Sequence, residues 1–278
     1  MTEPSLPIAC VLGFFGLWYL GAGFGVSIGY HRVLTHRAAR LSRPLLYALV
    51  LAGMAAGPPA EWVGNHRRHH RHSDTPPDPH SPSHSGFWYA HCGWYLGIRG
   101  RAGCLAYACA GPARLLLDAF LRPVAPLGNA RLAPDVLADA FLRWLSTRPG
   151  YVAASLLQLS PFVVAASFYG VVGFAVAWAF SVVMYNVGDS VDSLLHLRGR
   201  RDFATRDRSR NSAILGLIAL GEGFHNGHHA FPSSARFGVL PGQLDASYAL
   251  LHLLERLGLA HDVKTPGAAA LLSKRMPS

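Results

Sequence analysis

The chain has 278 residues, 51% of them apolar and only 14% charged, a balance that points away from an ordinary soluble domain and toward lipid. Its formal charge of +10 comes almost wholly from arginine, Lys264 and Lys274 being the only lysines, and suits nucleic acid or an anionic membrane face. Cys10, Cys92, Cys104 and Cys109 show no Cys-x-x-Cys spacing, which excludes a zinc ribbon or a disulfide scaffold; they are expected to be buried thiols.

In chain order, the first element is a run of 27 uncharged residues from Pro4 to Tyr30, more than the ~20 that a helix needs to cross the hydrocarbon core. It has no basic start, so a transmembrane helix is expected rather than a leader peptide. Gly21, Gly25 and Gly29 repeat every fourth residue and give it a groove for close packing against another span. His31 and His36 follow directly. On an ideal α-helix they point about 140° apart, so they flank a site or the helix loosens between them.

Leu45 to Ala60 is apolar but short, contains Gly57-Pro58-Pro59 and separates two histidine groups, so it is expected to stay on one side as a buried or half-inserted helix. His66, His69 and His70 then stand at i, i+3 and i+4, which a helix gathers on one face. Cys104 to Leu121, interrupted by Arg114 and Asp118, reads as an interfacial helix. Between Arg148 and Asp189 lie 40 uncharged residues, enough for a hairpin of two spans turning near Tyr169 to Gly173.

His196 ends the second arm, and His225, His228 and His229 repeat the i, i+3, i+4 spacing. The expected fold is all-α and integral to the membrane: about three transmembrane helices, one before the first histidine group and then the hairpin, under a helical cap that holds the metal site. Residues 1–278 read as one domain, with a C-terminal cytoplasmic tail over about 241–278. Segments 31–148 and 190–278 carry essentially all the arginines, which places them in the cytoplasm and the N-terminus outside.

Zinc is satisfied by three or four ligands, so nine clustered histidines imply two metals. A nitrogen-rich shell also suits iron that changes oxidation state and leaves room for dioxygen. Glu61, Asp74, Asp78 and Glu222 are candidates to orient ligand imidazoles through the second ring nitrogen.

The strings GYHRVLTHR, EWVGNHRRHHRHSDTPPDPH, GFWYAHCGW and GEGFHNGHHAFP resemble the signatures of the membrane delta-9 fatty acyl desaturases, over about residues 8–240. The resemblance implies a di-iron, O2-dependent enzyme that places a cis double bond in a saturated acyl chain. It implies iron ligands His31, His36, His66, His69, His70, His196, His225, His228 and His229, with His80 of the DPH string beside them. Asp192 stands where the family has an asparagine that touches a metal through water. The family usually has two spans before its first histidine box, and this chain has room for one, so an abbreviated start or an external N-terminus is expected.

Animal acyl-CoA members carry an Arg-Asp pair where Gly64-Asn65 stand here, and only Arg99 lies near another expected basic pair. The Trp-Val-Gly before His66 is closer to bacterial and cyanobacterial members, which favours acyl-lipid over acyl-CoA or acyl-carrier protein and implies a bacterial inner membrane. Trp62, Trp88 and Trp94, with Asn65 and Arg99, are the expected lining of an acyl tunnel or headgroup site.

No Gly-rich nucleotide motif or His-Pro-Gly-Gly haem motif is present, so an external ferredoxin or cytochrome with its reductase is the expected electron donor. Arg198, Arg200, Arg201, Arg206, Arg208 and Arg210 suit an acidic carrier or anionic headgroups. A hydroxylase or acetylenase on the same metal site is the nearest alternative. A membrane metal transporter is the alternative from another class, and the charge-free spans argue against it. Nucleic-acid binding calls for a soluble basic domain and is not expected.

Overall fold

The computed structural model describes residues 8–277. Helix α1 (Ile8–Phe24) runs without interruption into a π-helical segment, Gly25–Thr35, and the stretch Ala9–Thr35 is long and apolar enough to cross a bilayer. Of the span expected from Pro4, residues 4–7 lie outside the described residues. The π segment answers the 140° problem: its hydrogen bonds step five residues, as from His36 N to His31 O (3.1 Å), so residues 31 and 36 share a face.

Helix α2 (Arg43–Ala52) has ten residues, about 15 Å, half of what a crossing needs. It lies against the π segment, and a Cβ on Gly53 would come within 2.8 Å of the Gly25 carbonyl carbon. The small-residue groove therefore serves α2 rather than another span, and only Gly25 and Gly29 take part; Gly21 faces open space. A 3-10 turn, Met54–Ala56, leads to α3 (Pro59–His72), whose start is set by Pro59 in its first turn and whose last two turns carry the second histidine group.

Pro76 and Pro77 follow in a loop that folds back beneath α3, with Asp74 in a left-handed conformation (φ 57°). Two short helices, α4 (Pro82–Ser85) and α5 (Phe87–His91), complete this layer.

The stretch read as one interfacial helix is two, α6 (Arg101–Ala108) and α7 (Ala113–Leu121), bent by 118° at the Gly111-Pro112 break. Arg114 and Asp118 do not face water. Both are buried, while Leu116, Leu117, Phe120 and Leu121 of α7 are exposed, so the helix turns its charges inward and its apolar side out. Two of the four thiols also differ from expectation: Cys92 and Cys104 are buried, but Cys10 and Cys109 are exposed.

After α8 (Pro134–Ala138) and α9 (Ala140–Leu145) comes α10 (Arg148–Leu194), a helical hairpin. Gly170 has φ 55° and ψ −136°, outside the helical region. The ring of Phe15 in α1 lies 5.7 Å from Phe162 and 5.8 Å from Phe180. In a straight helix those two would be about 27 Å apart, so one ring touches both only because the chain reverses at Gly170. Both arms pack on α1 through Val11, Phe15, Phe162, Ala165, Ala177 and Tyr185, and Val163, Phe168, Val171 and Val183 on the other side are exposed.

Beyond the hairpin come α11 (Ala213–Ile218), α12 (His225–Ala230), α13 (Ala246–Arg256) and α14 (Ala268–Lys274). The stretch expected as a tail is packed onto the rest. Strand β1 (Arg40–Leu41) pairs antiparallel with β2 (Ala260–His261), and Ala204 N and Met276 N bond to Lys274 O and Asp202 O. The molecule is a helical membrane protein with its cap at the end of the spans where the histidines gather.

Candidate metal centre

Nine histidines from four stretches of chain converge at one end of α1 and α10. Five of them, His31, His36, His66, His70 and His228, offer ring nitrogens within 4.8 Å of one another, and so do the other four, His69, His196, His225 and His229. Helices α3 and α12 each contribute to both groups, because i and i+4 on α3 turn to one side and i+3 to the other.

The inner nitrogens face one another: His31 Nε2 to His228 Nε2 is 3.0 Å, His70 Nε2 to His66 Nε2 3.0 Å, His196 Nε2 to His225 Nε2 3.0 Å and His69 Nε2 to His229 Nε2 3.4 Å. The outer nitrogens of four rings meet carboxylates. His31 Nδ1 is 2.5 Å from Glu222, His69 Nδ1 3.0 Å from Asp78, His196 Nδ1 2.7 Å from Asp74 and His229 Nδ1 2.8 Å from Asp207. A neutral ring that donates from Nδ1 presents a lone pair at Nε2. His69 and His229 therefore aim lone pairs at each other, and one proton relieves one such pair but not a group of four or five. A cation between them serves all at once, so the donor set fits a metal, and its division into two groups fits two.

The electrostatics keep most of the rings available; at His69 burial pushes the ring down, but the Asp78 carboxylate outweighs it and raises the ring above the ordinary imidazole range. Burial pushes His66, His70, His225 and His228 well below the ordinary imidazole range, with neighbouring rings adding to the effect. For His229, burial outweighs the opposing bond from Asp207 and leaves it at about 4. Burial raises the carboxylates, but their partners outweigh it: His196 holds Asp74 at about 2, and His31 and Arg32 hold Glu222 at about 2. Asp78 and Asp207 lie well below the usual carboxylate range on the same balance, through His69 and His229.

Several expected residues stand elsewhere. Glu61 backs no histidine; it accepts from Asn65 Nδ2 and from the backbone N–H of Asn129 and Ala130, and so ties α3 to a loop. Asn65 bonds Glu61 and Asn129. His80 stacks on His69 at 4.4 Å and packs tilted against Trp94 at 4.8 Å, and its Nδ1 has no partner among the described residues. Asp192 lines a cavity beside the centre but is outside both histidine groups.

That cavity has walls from α1, the turn before α3, the second arm of α10 and α11. It includes Trp62, His31, His66, His225, Val26, Met184 and Leu220. Trp88, Trp94, Asn65 and Arg99 are not in its wall. Arg99 is exposed, over the Tyr89 ring at 5.2 Å. In their place stand Tyr95, Arg114, Arg122, Tyr185 and Asp189, none of which the sequence reading assigned to the cavity.

Sequence reasoning also missed Asp207, which sits inside an arginine-rich loop with no spacing to tie it to His229. It missed as well the buried Arg32, which joins Glu222 (2.5 Å) and Asp245 (3.0 Å) under the Phe237 ring. Arg32 binds the first histidine stretch to the last, and Gly227 lets α12 approach Phe237 O, where a Cβ would stand at 2.5 Å.

A helical membrane scaffold that gathers nine histidines into two metal-binding groups beside an apolar cavity defines a class, the histidine-cluster membrane metalloenzymes. The chain belongs to the fatty acid desaturase family, whose model matches residues 6–255. It is therefore an oxidoreductase that acts on fatty acyl chains.

Among its relatives is the sn-1 stearoyl-lipid 9-desaturase of Anabaena variabilis, 35% identical over 252 residues, which are 89% of this chain and 81% of the relative. The Delta-9 acyl-lipid desaturase 1 of Arabidopsis thaliana is 31% identical over 270 residues, 95% and 77% of the two chains. The Acyl-CoA C20 Delta5-desaturase of Anemone leveillei is 33% identical over 261 residues, 91% and 73%.

Proposed function

We propose that the chain is a delta-9 acyl-lipid desaturase: its nine clustered histidines hold two iron ions, and it places a cis double bond in a saturated acyl chain lying in the cavity beside them. The observation that supports this most directly is the pair of converging histidine groups, one backed by Glu222 and the other by Asp74, Asp78 and Asp207, that open onto one cavity through His31, His66 and His225. The acyl-lipid preference draws on the names of the Anabaena and Arabidopsis relatives, against the acyl-CoA name of the Anemone one. Bound iron would supply the redox chemistry by which dioxygen, two electrons and two protons take one hydrogen from each of two adjacent methylenes, leaving a double bond and two waters.

The residues of this chain do the placing. Ala22, Val26, Met184, Val187 and Leu220 give the acyl chain an apolar wall, and Trp62 stacks flat on His66 at 5.0 Å, fixing that ring at the cavity's edge. Glu222, Asp78, Asp74 and Asp207 hold four Nδ1 protons and thereby aim four Nε2 lone pairs inward. Asp192 adds a carboxylate to the cavity wall and would be the side chain to contact a metal through a water.

Electrons come from an external ferredoxin or cytochrome with its reductase. Arg198, Arg206 and Arg208 are exposed on the loop that carries Asp207, and Arg208 N bonds Asp74, so an acidic carrier seated there lies directly behind His229 and His196. The site faces the cytoplasm of a bacterial inner membrane, in keeping with the arginine-rich segments on that side.

The test is lipid fatty-acid analysis by gas chromatography and mass spectrometry in a desaturase-deficient host that co-expresses a donor pair, comparing wild type with His228→Ala at equal expression. Monounsaturated chains that depend on His228 are expected, with the double bond at the ninth position. Hydroxylated or alkynyl products would replace desaturation by another outcome on the same centre, and a double bond elsewhere would overturn the regiochemistry.

A further inference from the structure

One wall of the cavity is not apolar. Arg114 and Arg122, from α7 and the residue after it, are 1% and 2% exposed, and Tyr185 of α10 is 6% exposed. Arg114 is paired with Asp189 (2.6 Å), which also accepts from Tyr95 (3.0 Å), and Arg122 makes a single long contact with Asp118 (3.4 Å). Two arginines and two aspartates make the cluster neutral. It is nevertheless rich in unused donors: Arg114 Nε and the Tyr185 hydroxyl have no hydrogen-bond partner among the described residues, and Arg122 bonds only through Nη1.

All three residues stand in the wall of the same cavity as His31, His66 and His225. A neutral donor set that lacks acceptors is matched by a neutral oxygen rather than by an anion, which would leave the cluster with excess negative charge.

The position narrows the source of that oxygen. Asp189, which anchors Arg114, is five residues, about 7.5 Å along the axis, before the end of α10 at Leu194, and His196 stands two residues further on in the turn. Side chains this enclosed admit the end of an acyl chain but not a bulky lipid, coenzyme or protein carrier, so the carbonyl end lies elsewhere. In a chain of eighteen carbons with its double bond at the ninth, eight bonds remain beyond the double bond. At about 1.2 Å each, the advance of an extended covalent chain, they span about 10 Å, a length of the same order.

We propose that this cavity is built for acyl chains that carry a hydroxyl or keto oxygen at or next to the methyl end, seated against Arg114, Arg122 and Tyr185. The proposal rests on the cavity being the acyl channel, and it names the substrate class that the channel selects.

The test feeds equimolar stearate and ω-hydroxystearate to the desaturase-deficient host with its donor pair and measures the desaturated fraction of each chain, normalised to the amount incorporated into lipid. The hydroxylated chain is expected to be favoured by at least about tenfold, because a site that donates to a substrate oxygen discriminates against the analogue without it. That ratio is expected to fall toward one in Tyr185→Phe and in Arg114→Lys. Both chains compete inside the same cells, so the ratio does not depend on how much variant folds.

If stearate is desaturated as well as ω-hydroxystearate, or if the preference survives both substitutions, the proposal is overturned while the channel stands. If neither chain is desaturated by metal-loaded wild-type protein, the channel reading falls and the proposal with it.

Discussion

At the scale of single residues the centre depends on carboxylates as much as on histidines. Asp207→Asn removes the charge that holds His229 Nδ1 but keeps the shape, and partners of this kind carry roughly 10–100-fold of metal affinity. The variant is expected to retain less metal in a chelator titration by about that factor, with the other group of five less affected.

Proton linkage gives a second expectation. His229 titrates at about 4 in the folded protein against ~6.5 in an unfolded chain. Between those values the unfolded state binds more protons, so the stability of the metal-free protein falls as pH drops from about 6.5 to about 4. Thermal unfolding of the apoprotein in detergent, followed across that window, checks the sign. A flat profile would mean that the rings are already protonated in the fold.

At the scale of elements, the packing of α2 on the π segment is the most exacting contact. Gly53→Val pushes a branched side chain into the Gly25 backbone and is expected to cost about 1–3 kcal/mol, seen as a lowered melting temperature with loss of the five-histidine group's metal. Unchanged melting would show that α2 moves aside.

The histidine-bearing helices were legible in the sequence because i, i+3, i+4 spacing has one geometric meaning. The loosened helix between His31 and His36 was legible only as a choice between two possibilities, since nothing local dictates five-residue steps. The bend at Gly111-Pro112 was hidden because charges within an apolar run suit a water-facing stripe equally well. Arg114 and Asp118 instead find Asp189, Tyr107 and Arg122, partners distant in sequence or visible only once α7 is folded.

At the scale of the molecule, the exposed apolar faces of α1 and both arms of α10 fix three crossings, with Gly170 at the end away from the histidines. Val171 beside it is 81% exposed. In a variant with Cys10 and Cys109 replaced, Val171→Cys is expected to react with an impermeant maleimide added outside spheroplasts, whereas a cysteine at exposed Arg206 is protected until lysis. The reverse pattern would invert the orientation. The three crossings and the common side of the histidine groups were legible from charge-free length and arginine placement. Apart from Trp62, the walls of the cavity were not, because they come from stretches that meet only after the hairpin folds back.

The order of synthesis follows from the way each histidine group is drawn from the chain. The group of five joins His31 to His228, and the group of four joins His69 to His229. At about 5–20 residues per second, the ribosome delivers the last of these histidines roughly 10 to 40 s after the first. By then α1 and the hairpin have been handed to the membrane. Completion of both groups is therefore the closing event of biogenesis, and a nascent chain stalled before residue 225 holds four histidines of one group and two of the other, waiting in a half-built cup.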